Sequence, residues 1–298
     1  MCIRDRIYDV PLKMLEEGLD TVVLQRLRLK PKQNHDLKPW NAFLERVRNP
    51  KNFIKIGLVG KYVELQDSYK SILESLIHAG AENETEIYVE SLHSEYLESK
   101  NLKEKLENLD GLRVAPGFGE RGIEGKIMAI SYARLNNVPF LGICLGMQMA
   151  VIEYARNKVG LMNANSTEMV SDCKYPVIDL MESQKSITNK GGTMRLGSWD
   201  CNLIPNTKSA IAYQKSHINE RHRHRYEFNN KFSDQIFDQD FIISGINPET
   251  GLVEIIEYNN HPWFVGVQFH PEYKSTVLDP HPLFKAFVKA SLEKNLKA

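Results

Sequence analysis

The sequence has little of what marks a membrane, secreted or nucleic-acid-binding protein. Its longest apolar run, Val138 to Met147, contains two glycines and is far too short to span a bilayer. No apolar segment follows the charges at Arg4, Asp5 and Arg6, so the N-terminus does not read as a secretory signal. Neither sign of charge is in excess. Lys+Arg and Asp+Glu each number 38 in 298 residues, which leaves no global field to draw the chain to nucleic acid or a membrane. Cysteine is scarce, and Cys2, Cys144, Cys173 and Cys201 form no C-x-x-C pair. That spacing fits neither a disulfide framework nor a zinc site, so no metal is expected and a reducing cytoplasm is the expected location. Internal repeats and low-complexity tracts are absent too. What is present is a hydrophobic fraction of 42%, ordinary for a protein with a sizeable core.

The first fifty residues read differently from the rest. An amphipathic helix is expected from Pro11 to Leu29, with Gly18 as a weak spot and a stripe of Leu12, Leu15, Leu19 and Val23 that wants a partner. Arg28 to Lys38 is polar and bracketed by Pro31 and Pro39, as a linker would be, and a short helix is expected from Trp40 to Val47. From residue 53 strands and helices alternate. Strands are expected at 54–59, 87–92, 111–115 and 139–143, and helices at 67–79 (closed by Gly80), 102–109, 125–136 and 146–156. This order predicts an α/β fold with a mostly parallel sheet flanked by helices. After Val177 the chain turns β-rich, with strands at 252–258 and 263–269, and a helix from Pro282 to Lys294 closes it.

Three motifs bear on chemistry. Gly142-Ile143-Cys144-Leu145-Gly146 sits at a strand-to-helix joint. A nucleophile there needs small neighbours for the sharp turn, and it gains a backbone N–H and a helix N-terminus beside it. A buried structural cysteine beside incidental glycines would look the same. His270-Pro271-Glu272 follows the last expected strand. In extended chain positions i and i+2 point the same way, so the carboxylate can hold one imidazole nitrogen while the other meets a nucleophile; a polar surface turn is the plainer reading. Ala115 to Gly122 contains G-x-G-x-x-G, but no carboxylate follows at Asn136 to Phe140 where a ribose would need one. Its glycines instead suit close approach to a ligand and an N–H aimed at an oxyanion. Gly57 to Tyr62 is similar to a phosphate loop but lacks its spacing and its Ser/Thr. Glu220 to Glu227, rich in His and Arg, fits a metal site, a nucleic-acid patch or an exposed strand.

The run Gly142 to Gln148 together with His270-Pro271-Glu272 resembles class I glutamine amidotransferases. Further blocks resemble the CTP synthase family. They are Gly117 to Gly125, Asn163 to Glu168, Gly191 to Gly197, Glu220 to Glu227 and His261 to Phe264. The resemblance runs from about Ile7 to the C-terminus and implies a Rossmann-like class I glutamine amidotransferase domain. It implies Cys144 as nucleophile, His270 as acid and base, and Glu272 as its orienter. Gly117 and Leu145 would form the oxyanion hole. Gly117, Leu145, Gly146, Met147, Gln148, Glu168 and Arg225 would contact L-glutamine, with Arg225 on the α-carboxylate and Glu168 on the α-ammonium. Many members have Gly where this chain has Pro116; with no N–H there, the donor must be Gly117.

The same resemblance implies ammonia delivery to UTP activated by ATP and Mg²⁺ in a synthetase domain that this chain lacks. It implies GTP as an allosteric activator, a homotetramer for the full-length family, and no partnership with nucleic acid or membrane. Residues 1–6 do not fit the family and resemble a translated sequencing adapter, so they are expected to be non-native. Residues 7–30 resemble the end of the synthetase domain, 31–52 a linker and short helix, and 53–298 the amidotransferase domain. A truncated gene is the expectation. Competing readings are a free-standing γ-glutamyl hydrolase, an amidotransferase subunit for another acceptor, and a non-catalytic scaffold on the same fold.

Overall fold

Aliphatic residues alternate with little interruption from Ile54 to Val59, and this run forms the first strand, buried on both faces. The computed structural model describes residues 3–30, 36–180 and 194–297. In chain order the helices are α1 (Ile3–Glu16), α2 (Leu19–Leu27), α3 (Lys38–Arg48), α4 (Lys70–Glu82), α5 (Leu102–Leu106), α6 (Ile123–Leu135), α7 (Leu145–Asn157), α8 (Lys208–Tyr213), α9 (Ser233–Ile236) and α10 (Pro282–Asn295). The strands are β1 (Asn52–Gly60), β2 (Thr85–His93), β3 (Gly111–Val114), β4 (Phe140–Ile143), β5 (Ala164–Ser166), β6 (Tyr175–Leu180), β7 (Arg195–Leu203), β8 (His217–His224), β9 (Tyr226–Phe228), β10 (Phe241–Ile246), β11 (Val253–Tyr258) and β12 (Phe264–Val267).

A nine-stranded sheet runs β2-β1-β3-β4-β12-β11-β10-β7-β8, and β5-β6-β9 form a small second sheet. From β2 to β12 neighbours are parallel; from β12 to β8 they are antiparallel. The large sheet flanked by helices is the α/β architecture expected. Two apolar layers sandwich it. One gathers α6 and α7 over Val59, Leu112, Val114 and Phe140, the other α4 and α10 over Ile54, Ile56, Leu141 and Val265. The last strand to form in chain order, β12, inserts between β4 and β11, so the ends of β4 and β12 lie side by side.

Local details differ from the sequence expectations for physical reasons. The helix expected from Pro11 to Leu29 is two helices, because Gly18 adopts a left-handed φ of 69° that costs glycine little and ends α1. Pro11 lies inside α1. Of the expected apolar stripe, Leu15, Leu19 and Val23 are exposed, but Leu12 packs with the buried Tyr8, Phe43, Leu44 and Ala81. Trp40 Nε1 donates to Tyr8 O at 2.8 Å, and the Tyr8 hydroxyl bonds Glu74. Helix α4 runs past Gly80 to Glu82. Gly80 is there for clearance, since a Cβ would stand 2.7 Å from Thr85 O at the start of β2. The expected linker falls partly on residues 31–35 and the block Gly191 to Gly197 partly on residues 191–193, both outside the described residues.

Candidate active site

At the end of β4 the backbone must reverse from strand to helix within one residue, and Cys144 makes that reversal at φ 52°, ψ −103°. A β-carbon at positive φ is strained by roughly 1–3 kcal/mol and persists only where its surroundings over-determine it. Here they do. Cys144 N donates to Val267 O at 2.7 Å, which ties the elbow to β12. A Cβ on Gly142 would stand 2.8 Å from the Gly146 carbonyl, and one on Gly146 would stand 2.6 Å from Val114 O. The two glycines therefore let the head of α7 settle on β3 and β4 with the thiol at its N-terminus.

Three residues beyond β12, His270 N donates to Arg221 O at 2.8 Å, and His270 Nδ1 bonds Glu272 Oε1 at 2.7 Å. Both side chains are buried. Burial disfavours the imidazolium, but hydrogen bonding and charge from Cys144 and Glu272 outweigh it and raise His270 well above its ordinary pKa. Burial would likewise raise Glu272, yet the bond from His270 and the charges of His270 and Arg113 hold it below its usual value. With Nδ1 committed to the carboxylate, Nε2 is the atom left for Cys144. Gln268 adds a contact that sequence reasoning missed. Its Nε2 lies 3.7 Å from Cys144 Sγ, its Oε1 accepts from Gln148 Nε2 at 3.2 Å, and that same nitrogen donates to Tyr226 O at 2.8 Å.

The loop after β3 closes the other side. A Cβ on Gly117 would lie 3.6 Å from Leu145 Cδ2, so the two residues expected to form an oxyanion hole are packed together. Glu168 Oε1 accepts from Gly119 N at 2.7 Å. Burial raises Glu168, countered by Gly119 and by the nearby charges of Lys61 and Arg225, so Glu168 and Arg225 serve the same region. Met147 is wholly buried among core residues, so its side chain belongs to packing. Gln148 is nearly as buried, with its amide nitrogen already engaged.

Residues 64–290 match the family of class-I glutamine amidotransferases. The chain belongs to that family. Among solved members it is similar to the glutaminase domain of Trypanosoma brucei CTP synthase with bound acivicin. The TM-score there is 0.75 at 35% identity, covering 80% of this chain and 94% of that one. It is 62% identical to the CTP synthase of Christiangramia forsetii over 98% of this chain, and 60% identical to that of Flavobacterium johnsoniae over the same share. The alignments cover 53% and 54% of those proteins, so the chain spans about half the length of the curated relatives it matches.

Other motifs of this amidotransferase chain resolve differently. Lys61, in the stretch similar to a phosphate loop, bonds the carbonyls of Phe118 and Gly119, the latter at 2.9 Å. Two of the three N–H donors of that ammonium are thus engaged by backbone carbonyls. In β8 burial alternates residue by residue, so Glu220, His222 and His224 point inward while Arg221 and Arg223 face solvent. Half of the polar run is thus interior. Arg195 pairs with Glu254 at 2.7 Å, and His222 bonds His224 at 3.0 Å. Burial first, then the charge of Arg195, lowers His224 to about 3; burial raises Glu227 to about 8, opposed by Arg195 and aided by Glu254. Among the described residues no group of three or more His, Cys, Asp or Glu converges as a metal would require. Sequence reasoning passed over Gln268 although it stands two residues before His270 on the same side of an extended segment. It also passed over Lys126, a lone lysine on the apolar side of α6.

Proposed function

We propose that this chain hydrolyses the side-chain amide of L-glutamine through Cys144, His270 and Glu272, and that the ammonia serves ATP-dependent amination of UTP to CTP. Cys144 attacks the amide carbon while His270 Nε2 holds the thiol proton. The oxyanion meets the backbone N–H groups of Gly117 and Leu145, worth about 3–4 kcal/mol per donor in such sites. His270 then gives its proton to the leaving nitrogen, a glutamyl thioester forms, and water attacks it with His270 as base. Glu168 receives the α-ammonium and Arg225 the α-carboxylate, with Gly146, Met147 and Gln148 lining the same end of α7. UTP, ATP and Mg²⁺ are assigned to the part of the longer relatives that this chain does not span, and GTP to an activating role. A homotetramer and a cytoplasmic location complete the reading. Among the described residues no helix is long and apolar enough to cross a membrane.

The observation that carries this reading is the elbow cysteine at φ 52° on a strand paired to the one that delivers His270 and Glu272. Acivicin, the compound bound in the trypanosomal domain, tests it. Mass spectrometry should find it on Cys144 and not on Cys173 or Cys201. Equal labelling of the cysteines would overturn the assignment. Release of ammonia from L-glutamine without CTP formation by any reconstituted pair of chains would instead favour a free-standing hydrolase.

A further inference from the structure

The first turn of α6 places Lys126 where a lysine is costly on three counts. Its side chain is wholly buried, and it forms no ion pair among the described residues. It also stands at the positive end of a helix dipole. Lys61 repels it as well; burial and that repulsion lower Lys126 to about 7, opposed only by Cys144. A group held in such a place against desolvation and like charge is a candidate for function.

Its contacts say which function. Nζ donates to Ala115 O at 3.1 Å and lies 3.8 Å from where a Cβ on Gly117 would be. Fixing the Ala115 carbonyl fixes the plane of the Ala115–Pro116 peptide, and the proline ring then fixes φ of residue 116. Only ψ of Pro116 is left to swing the Gly117 amide. On the far side Lys61 holds the Phe118 and Gly119 carbonyls, and Glu168 holds the Gly119 N–H. The loop is therefore pinned on both flanks of Gly117, by two lysine amino groups bonded to carbonyls and one carboxylate bonded to an amide.

We infer that Lys126 is a positioning residue of the glutamine-hydrolysing site, keeping the Gly117 amide turned toward the reacting carbonyl and holding its amino group close enough to Cys144 to interact electrostatically with it. The role rests on the reading of Cys144 as nucleophile. It needs no contact between Lys126 and substrate.

The test compares the 298-residue chain with its Lys126→Met variant. Methionine matches the length of the stem and removes the charge. Iodoacetamide, which needs no seated substrate, reports the thiolate of Cys144 across pH; the charged groups that bear on Lys126 are Lys61 and Cys144. Acivicin reports the assembled pocket. The variant should shift the pH midpoint of Cys144 alkylation upward and slow acivicin labelling on the order of 10- to 100-fold, at or below the loss from deleting an oxyanion donor. Its urea midpoint should stay level or rise, because an apolar side chain replaces a buried charge. An unchanged midpoint with unchanged acivicin labelling would overturn the role alone. So would losses that merely track a fall in stability. If the wild-type chain labels all its cysteines alike, the glutaminase reading itself falls and takes this role with it.

Discussion

Glu272 accepts from His270 Nδ1 at 2.7 Å, and after the hydrogen bond with Cys144 its own hydrogen bond and charge favour the imidazolium. Glutamine at this position keeps an acceptor and loses the anion. Glu272→Gln should therefore lower the pKa of His270 and move the alkaline limb of glutamine hydrolysis to lower pH, which a pH profile of kcat would read. Folding stability follows the same sign. The raised His270 contributes fully below the ordinary histidine value of 6.5, and that contribution disappears as pH climbs through the folded value. Arg225→Ala should act on binding instead. Losing a charge-assisted carboxylate clamp should raise KM roughly 10- to 100-fold with a smaller change in kcat, and an unaltered KM would place the carboxylate elsewhere. Cys144 and His270-x-Glu272 were legible because their spacing itself encodes geometry. Gln268, Lys126 and Lys61 were not, because what distinguishes them is burial and a partner far away in the chain, which residue spacing does not carry.

Among the elements, the close seat of α7 depends on two missing β-carbons. Gly146→Ala would press a methyl to within 2.6 Å of Val114 O, and a backbone carbonyl cannot rotate away. A loss of about 1–3 kcal/mol in urea unfolding is expected, with Cys144 displaced and acivicin labelling slowed. The strand-helix alternation from residue 53 to 157 was readable because short apolar-rich runs, broken only by single polar residues such as Lys55 and Arg113 or by the alternation of β2, recur between longer helical stretches. The N-terminal helices were misread as one because Gly18 has two roles open to it, tolerated interior residue or left-handed stop, and only tertiary packing chooses. That packing is uneven. Tyr8 is buried against Trp40, Phe43 and His78, whereas α2 buries no residue at all. We propose residues 53–298 as the amidotransferase unit, with 7–30 an appendage attached through Tyr8. Hydrogen exchange should show α1 protected around Tyr8 and Leu12 and α2 exchanging fast; uniform protection of both helices in a monomer would move the boundary.

For the molecule as a whole, the alignments to about half of each longer relative lead to a direct expectation. The purified chain should hydrolyse L-glutamine slowly, and should form no CTP from UTP, ATP, Mg²⁺ and ammonia. Chromatographic detection of CTP would refute the proposed division of labour. The sheet has a different consequence. Cys144 and His270, the proposed nucleophile and base, follow adjacent paired strands, β4 and β12, although more than a hundred residues of chain separate them. What keeps them in register is the ladder of interstrand bonds, so chain continuity between them is dispensable in principle. The turn at Asn206, exposed and left-handed at φ 65°, is a place to cut. Two separately produced pieces, 1–205 and 206–298, should then complement one another on mixing and recover acivicin labelling of Cys144, a bisected enzyme whose active centre is stitched together by a β-ladder.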